Sequence, residues 1–345
     1  MLSAMAYTEP AYSLAQVDSA GDILIESPNP DRLEEALTVI NNWRASYAYP
    51  LNTFQMTLRN RTRQVDQQGI VSQRIKRLLA IDDKLRRYDF KLSDMQDIGG
   101  CRAVVSSVDK VYGLARIYNQ SQWKHTLASG NDYIKNPKAK SGYRGIHLIY
   151  RHFSPVHPVY NGHKIEVQLR SSLQHTWATA VETADVFLRE SLKVGRGPEE
   201  WKRFFILMGS AIALLENCKP VPRTPKKESE LVVEIKQLID KLGVMTRFKT
   251  FGQALRTIEA GPNMKNMHYL VLVLDPRANT TTVWGFKAGQ SESATQHYVQ
   301  LERDKPIGGD VVLVSVERAV NLQRAFPNYF LDTTSFLDTV RQVMS

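Results

Sequence analysis

A chain of 345 residues, 43% apolar and 23% charged, is long enough for one large core or two moderate ones. Its net charge of +10, about +7 of it within the first 222 residues, points to an anionic partner there, such as a nucleotide, RNA or acidic lipid. Two cysteines, Cys101 and Cys218, exclude a disulfide framework; no Cys/His spacing suits zinc, and without a signal-peptide pattern or a ~18-residue apolar run a cytoplasmic protein with no membrane association is expected.

Residues 1–28 carry small and polar side chains without sustained periodicity and read as a mobile arm or a loose strand. A proline-punctuated start, early acidic residues and Leu33, Leu37, Ile40 and Trp43 at helical spacing then predict a first helix. The Tyr49-Pro50 break precedes a second, from about Thr53 to Val65, and IVSQRIKRLLAIDDKLRRYDF reads as a third, strongly basic one. CRAVV after paired glycines suits a buried strand, and VDKVYGLARIYNQ a helix. IHLIYRHF and HKIEVQLR alternate as strands across an Asn-Gly turn, and SSLQHTWATAVETADVFLRES returns to helical spacing. Another apolar helix spans about Pro198 to Asn217, ahead of the linker-like KPVPRTPKKESE. Beyond it, two helices, four strands (MHYLVLVLD, TTTVWGF, QHYVQLE and DVVLVSV) and closing helices in VERAVNLQRAF and TSFLDTVRQVM predict a separate α+β domain.

No GxxxxGK[ST] loop and no GxGxxG after a strand is present, so any bound phosphates would be held by side chains. Arg74, Lys76 and Lys84 on the third helix are the basic set at hand, although such a run also suits a solvated helix face. Asp97 lies just before Gly99, Gly100 and an apolar strand. A carboxylate at a strand entrance suits Mg²⁺, which prefers hard oxygen donors, and equally suits a turn. Alternation along KIEVQLR sets Glu166, Gln168 and Arg170 on one face and Ile165, Val167 and Leu169 on the other.

Four segments in order, RIKRLLAIDDKL, QDIGGCRAVV, DYIKNPKAKSGYRGIHL and KIEVQLRSSLQHTWA, resemble the synthetase domain of the RelA/SpoT homologue family, above all its small alarmone synthetases. The likeness covers about residues 40 to 190. It implies an α/β (α+β) fold with a mixed five-stranded sheet flanked by helices, related to nucleotidyltransferases. It also implies a pyrophosphokinase that transfers the β,γ-diphosphate of ATP to the 3′-hydroxyl of GDP or GTP, making (p)ppGpp. The cofactor implied is Mg²⁺ on Asp97 and Glu166, the two catalytic carboxylates, with Glu166 as metal ligand, general base or both. Arg74, Lys76, Lys84 and Arg102 match the ATP-side residues. Tyr143 matches the tyrosine that stacks on the acceptor guanine, and His147 its phosphate-contacting neighbour; Lys138, Lys140, Arg144 and Gln168 complete the acceptor side.

Departures from the family pattern fall on that acceptor side: Asn131 stands where a lysine is usual, NPKAKSGY is one residue longer, and Gly145 replaces a serine. Toxic members of the family instead pyrophosphorylate the 3′ end of tRNA or use adenine nucleotides, and a reading of another class is a non-catalytic nucleotide- or RNA-sensing module. No His-Asp dipeptide occurs, so synthesis without a hydrolase domain is expected. The expected layout is a flexible arm over 1–28, a synthetase domain with flanking helices over 29–220 and a smaller α+β domain over 221–345. That last domain is expected to be either a packing or dimerisation module or a regulatory lid or neutraliser that senses a partner protein, and a homo-oligomer is a further expectation.

Overall fold

The strand-forming segments assemble one mixed sheet. The computed structural model describes residues 7–26, 30–188, 198–253, 256–260, 267–275, 277–278, 280–306, 309–316, 322–326, 329–330 and 333–345. Its strands are β1 (Ile70–Ile75), β2 (Gly99–Val105), β3 (Thr126–Asp132), β4 (Ile146–Arg151), β5 (Lys164–Ser171), β6 (Arg256–Ala260), β7 (Tyr269–Asp275), β8 (Thr280–Phe286) and β9 (Asp310–Val316). They pair in the order β3-β4-β5-β2-β1-β9-β7-β8-β6. The expected five strands are the first five of this order, and the sheet does not stop there. β1 presents its second edge to β9, with Ser72 opposite Val316 and Arg74 opposite Val314, so the C-terminal strands prolong the same sheet. The smaller C-terminal α+β domain is therefore not a body with its own sheet.

Helices clothe both faces: α1 (Leu14–Glu26), α2 (Pro30–Ala45), α3 (Ala48–Val65), α4 (Leu78–Arg87), α5 (Val108–Gln120), α6 (Ser172–Leu188), α7 (Glu199–Leu215), α8 (Glu228–Leu242), α9 (Val244–Gln253), α10 (Ser291–Arg303), α11 (Leu322–Ala325) and α12 (Thr334–Met344). Side chains of one parity (Val71, Ile75, Cys101, Ala103, Ile165, Val167, Leu169, Val271, Leu313) enter one large core. Helices α3, α5 and α10 pack against that face. On the other face Ile70, Val104, Leu272 and Val314 meet Phe326 and Tyr329 in a smaller cluster. A third cluster, with Trp177, Phe204, Ile235, Phe248 and Phe336, joins α6, α7, α8, α9 and α12. Among the described residues no helix is long and apolar enough to cross a membrane.

Several elements differ from their sequence reading. The expected mobile arm contains α1, whose Val17 and Ala20 are buried. A Cβ at Gly21 would stand 2.8 Å from Leu92 Cβ, so the small residues that concealed the helical pattern are what let this helix pack closely. Residues 1–6 and 27–29 lie outside the described residues. The third, basic helix is a strand followed by a helix. IVSQRI alternates at period 2 and pairs along its length with β2, so Arg74 lies within a strand, Lys76 directly follows it, and only Lys84 is helical. Pro50 falls in the first turn of α3, where its missing N–H costs nothing, and does not break the chain. QHYVQLE lies within α10, because Ala294, Tyr298 and Leu301 follow a helical stripe with Ser291. Edge strand β3, largely exposed and poor in apolar residues, gave no pattern to read. Of the helix expected in VERAVNLQRAF, residues 317–321 lie outside the described residues and 322–325 form α11.

Candidate active site

Strand parity carries the chemistry to one face. Ile165, Val167 and Leu169 on β5 are fully buried in the large core, which sends Glu166, Gln168 and Arg170 to the opposite face. Register then aligns rows across the strands. Arg74 sits opposite Gly100 and Gly100 opposite Glu166; one row on, Ser72, Arg102, Gln168 and His147 stand in line. Ser72, Arg74, Asp97, Gly100, Arg102, Glu166 and Gln168 line a single cleft over this face.

The two glycines before the strand divide their roles by the same parity. A Cβ at Gly99 would stand 2.7 Å from Tyr47 Cδ1 and 3.1 Å from Leu51 and Ile165, inside the core. At Gly100 it would lie 4.0 Å from Glu166 Oε2, on the cleft side. Gly99→Ala is thus expected to lower stability by about 1–3 kcal/mol with chemistry retained. Gly100→Val should keep stability to within about 1 kcal/mol and lose activity, because its methyls enter the space beside the carboxylate. Urea unfolding and turnover measured side by side check the pair.

Asp97, in the turn leading to β2, is gripped by two ammonium groups: Lys76 Nζ at 2.7 Å and Lys84 Nζ at 2.9 Å. Burial would raise its pKa, but the two lysines outweigh that and hold it well below the usual carboxylate range. Lys76 is drawn down to about 8, burial outweighing the attraction of Asp97. The expected ATP-side lysines are thus brought to the expected carboxylate, by a strand end and a helix rather than by one helix.

Glu166 belongs to a closed hydrogen-bond ring. His147 Nδ1 lies 2.7 Å from Glu166 Oε1, Gln168 Nε2 donates to Oε2 at 2.6 Å, and Arg170 donates to Gln168 Oε1 at 3.0 Å. Arg170 Nε also donates to the Tyr143 hydroxyl at 3.2 Å, and that hydroxyl bonds His147 Nε2 to complete the ring. Burial opposes ionisation of Glu166, yet His147 holds it down at about 2. Burial likewise disfavours the charged form of His147, but Tyr143 and Glu166 raise it to about 9.

The depressed carboxylate has a measurable consequence. Its pKa falls from 4.5 to about 2 on folding, so its stabilising contribution is whole above about pH 4.5 and is lost as pH falls through about 2. At most this is about 3 kcal/mol. Urea midpoints taken at about pH 6 and about pH 3 are expected to fall more steeply for the unaltered chain than for Glu166→Gln.

The remaining acceptor-side residues divide. Lys138 is exposed, with Nζ 4.3 Å from the Tyr133 ring centre and 5.5 Å from that of Tyr143, and Lys140 is exposed on the same loop. Arg144, expected on the acceptor side, turns away from Tyr143 and His147. Tyr143 and His147 point one way and Arg144 the other, into the interior, where it pairs with Glu216 at 2.7 Å with only 2% of its side chain exposed. Arg170 and Tyr133 were not singled out as site residues. The parity of KIEVQLR already placed Arg170 beside Gln168, whereas nothing in the sequence ties Tyr133 to Lys138.

Two carboxylates in one cleft, each flanked by cations, make a hard oxygen donor set, and Gly100 leaves the space beside Glu166 open. No group of three or more His, Cys, Asp or Glu comes together among the described residues. Mg²⁺ fits such a pair, since it takes one or two carboxylates and fills its shell with phosphate oxygens and water. Arg102, whose buried Nε meets no acceptor among the described residues, fits an incoming phosphate.

The cleft is covered from the C-terminal side. Phe326 forms one wall and lies 5.2 Å from the Arg102 guanidinium, which also donates to the Ala325 carbonyl. The Arg324 carbonyl bonds His175 Nε2 at 3.1 Å. What remains between Asp97, Glu166 and Phe326 is a cavity of about 10 Å³, room for about one water.

Residues 73–187 match the family described as a region found in RelA / SpoT proteins. No curated protein matches the chain significantly. Among solved structures, a GTP pyrophosphokinase family protein from Streptococcus pneumoniae is similar at 24% identity and a TM-score of 0.42, over 50% of this chain and 86% of that one. The small alarmone synthetase 1 from Bacillus subtilis bound to its product pppGpp is similar at 25% identity and a TM-score of 0.41, over 50% and 88%. Small alarmone synthetase 2 from the same organism gives 21% identity and a TM-score of 0.44, over 52% and 94%. Asp97, Arg102, Glu166 and Gln168 all fall within residues 73–187, the third of the chain that matches the RelA/SpoT region.

Proposed function

We propose that the chain is a pyrophosphokinase that moves the β,γ-diphosphate of ATP onto the 3′-hydroxyl of a guanosine nucleotide. The observation that carries this reading is the meeting of Asp97, Glu166, Arg74 and Arg102 in one cleft of the RelA/SpoT segment. In the reaction the 3′-oxygen bonds to the β-phosphorus, the bond from that phosphorus to the α,β-bridging oxygen breaks, and AMP leaves. Arg74, Arg102 and Lys84 would neutralise the triphosphate, and Tyr143 would stack on the acceptor base. Glu166 would orient the 3′-hydroxyl or accept its proton. Bound Mg²⁺ would spread the charge of the transferred group, with Asp97 and Glu166 as its protein ligands.

Labelled ATP and Mg²⁺ incubated separately with GDP, GTP, AMP and deacylated tRNA test the reading. Label on GDP or GTP supports it. Label on tRNA or AMP keeps the chemistry and changes the acceptor, and label on none of them in the unaltered and Phe326→Ala chains alike leaves a nucleotide-sensing module. The C-terminal cover is part of the same proposal: residues 322–326 restrain the enzyme by filling the ATP side of the cleft, and a protein partner that lifts them would activate it.

A further inference from the structure

We propose that Glu216, just past the end of α7 and outside the RelA/SpoT segment, is a positioning residue for the acceptor, acting through Arg144. This rests on the pyrophosphokinase reading above. The Glu216 carboxylate accepts from Arg144 Nη1 at 2.7 Å, from Gln174 Nε2 at 3.1 Å and from the Ser171 hydroxyl. Ser171 ends β5 and Gln174 lies in the first turn of α6. One carboxylate therefore ties α7, β5 and α6 to the loop that carries Lys138, Lys140 and Tyr143.

The pair is buried on both sides, at 2% and 6% side-chain exposure. Removing one partner of such a pair leaves an uncompensated charge in the interior, so the loop is strongly held to one position. Arg144 Nε and Nη2 have no hydrogen-bond acceptor among the described residues, which leaves Glu216 as the carboxylate that fixes the guanidinium.

Backbone packing leads to the same place independently. Gly142, with φ of 82°, lies directly on α7: a Cβ at Gly209 would stand 2.7 Å from the Gly142 carbonyl oxygen, and one at Gly142 3.0 Å from Ile206 Cα. Tyr143 follows Gly142 and precedes Arg144, so its ring is placed by two neighbours that are both docked on or beside α7. A shift of about 1 Å in that ring would misplace an acceptor, whereas Lys76, Lys84 and Asp97 hang on the chain just after β1, on α4 and on the turn before β2 and would stay put.

Glu216→Gln removes the charge with little change of shape, and Gly209→Ala pushes on Gly142 with the ion pair intact. In the full chain, each is expected to raise KM for the acceptor that the unaltered chain labels (GDP, GTP or deacylated tRNA) by roughly tenfold or more. KM for ATP should stay within about twofold, and Glu216→Asp, which keeps the charge, should fall between Gln and the unaltered chain. An acceptor KM unchanged in both variants overturns the inference. So do acceptor and ATP KM values rising together with a lowered Tm, which would mark a general loosening. Failure to label any acceptor in both the unaltered and the Phe326→Ala chain overturns the proposed function first, and this inference with it.

Discussion

Phe326→Ala is expected to raise pyrophosphate transfer by the full chain roughly tenfold or more. Phe326 is buried against Ile70, Val104 and Val314 on the sheet and under Arg102 in the cleft. Truncating a buried phenylalanine costs the state that buries it about 3–5 kcal/mol, and each 1.4 kcal/mol taken from the covered state multiplies the uncovered fraction about tenfold. Part of that cost is shared by any uncovered state in which the ring stays partly packed, hence the lower expected gain. The substitution also releases the face of Arg102, so KM for ATP should fall while KM for the acceptor holds. Turnover and both KM values of the full-length variant are the measurement, with Tm as control. Unchanged turnover with an unchanged ATP KM would show that residues 322–326 cover the cleft without restraining it.

The cover has holds that this single substitution leaves in place. Tyr329 donates its hydroxyl to Asp310 Oδ2 at 2.9 Å, and Asp310 also pairs with Arg77, next to Lys76. Its carbonyl accepts from the Thr281 hydroxyl. Further along, Glu302 bonds Arg44 Nη1 at 2.9 Å and the Leu78 backbone N–H at 2.9 Å. These contacts bind α10 and β9 to the start of α4, the helix that brings Lys84 to Asp97. A partner that pulled on the C-terminal strands would therefore disturb Lys84 and Asp97 before Tyr143 and His147.

How much of this was legible depends on whether an element declares itself locally. β5 did: strict alternation in KIEVQLR set Glu166, Gln168 and Arg170 on one face, and the structure keeps them there. β1 did not, because a basic stretch of IVSQRIKRLL satisfies a helical reading as well as a strand one, and only the partners β2 and β9 decide between them. The same choice moved Arg74 and Lys76 off a helix without removing them from the site. Arg144 was misplaced for a different reason: a motif match transfers residue type and position, not the direction of a side chain, and Glu216 lies too far along the chain to suggest itself as a partner. The cover was out of reach for the same cause. Nothing local marks Phe326 as a residue that reaches Arg102, since the two stand far apart along the chain and meet only in the fold.

In a Phe326→Ala chain, Asp97→Asn and Glu166→Gln are each expected to cut turnover by about 10²–10⁴-fold, for different reasons. Asp97→Asn removes the counter-charge to Lys76 and Lys84, which then repel each other and lose the anchor that aims them. Its loss should appear in both KM for ATP and kcat, and added Mg²⁺ should recover part of it. Glu166→Gln keeps the shape of the ring, and its amide can still accept from His147 or Gln168. The defect should therefore be confined to kcat. A carboxylate held at about 2 by His147 is a weak proton acceptor, which shifts weight toward its role as ligand and orienting group. A pH profile of kcat separates the two roles. If Glu166 is the base, the acid limb of the profile disappears in Glu166→Gln; if it only holds metal and acceptor, the limb stays and the whole curve drops. Retention of more than about a tenth of the activity by either variant would remove that residue from the catalytic machinery.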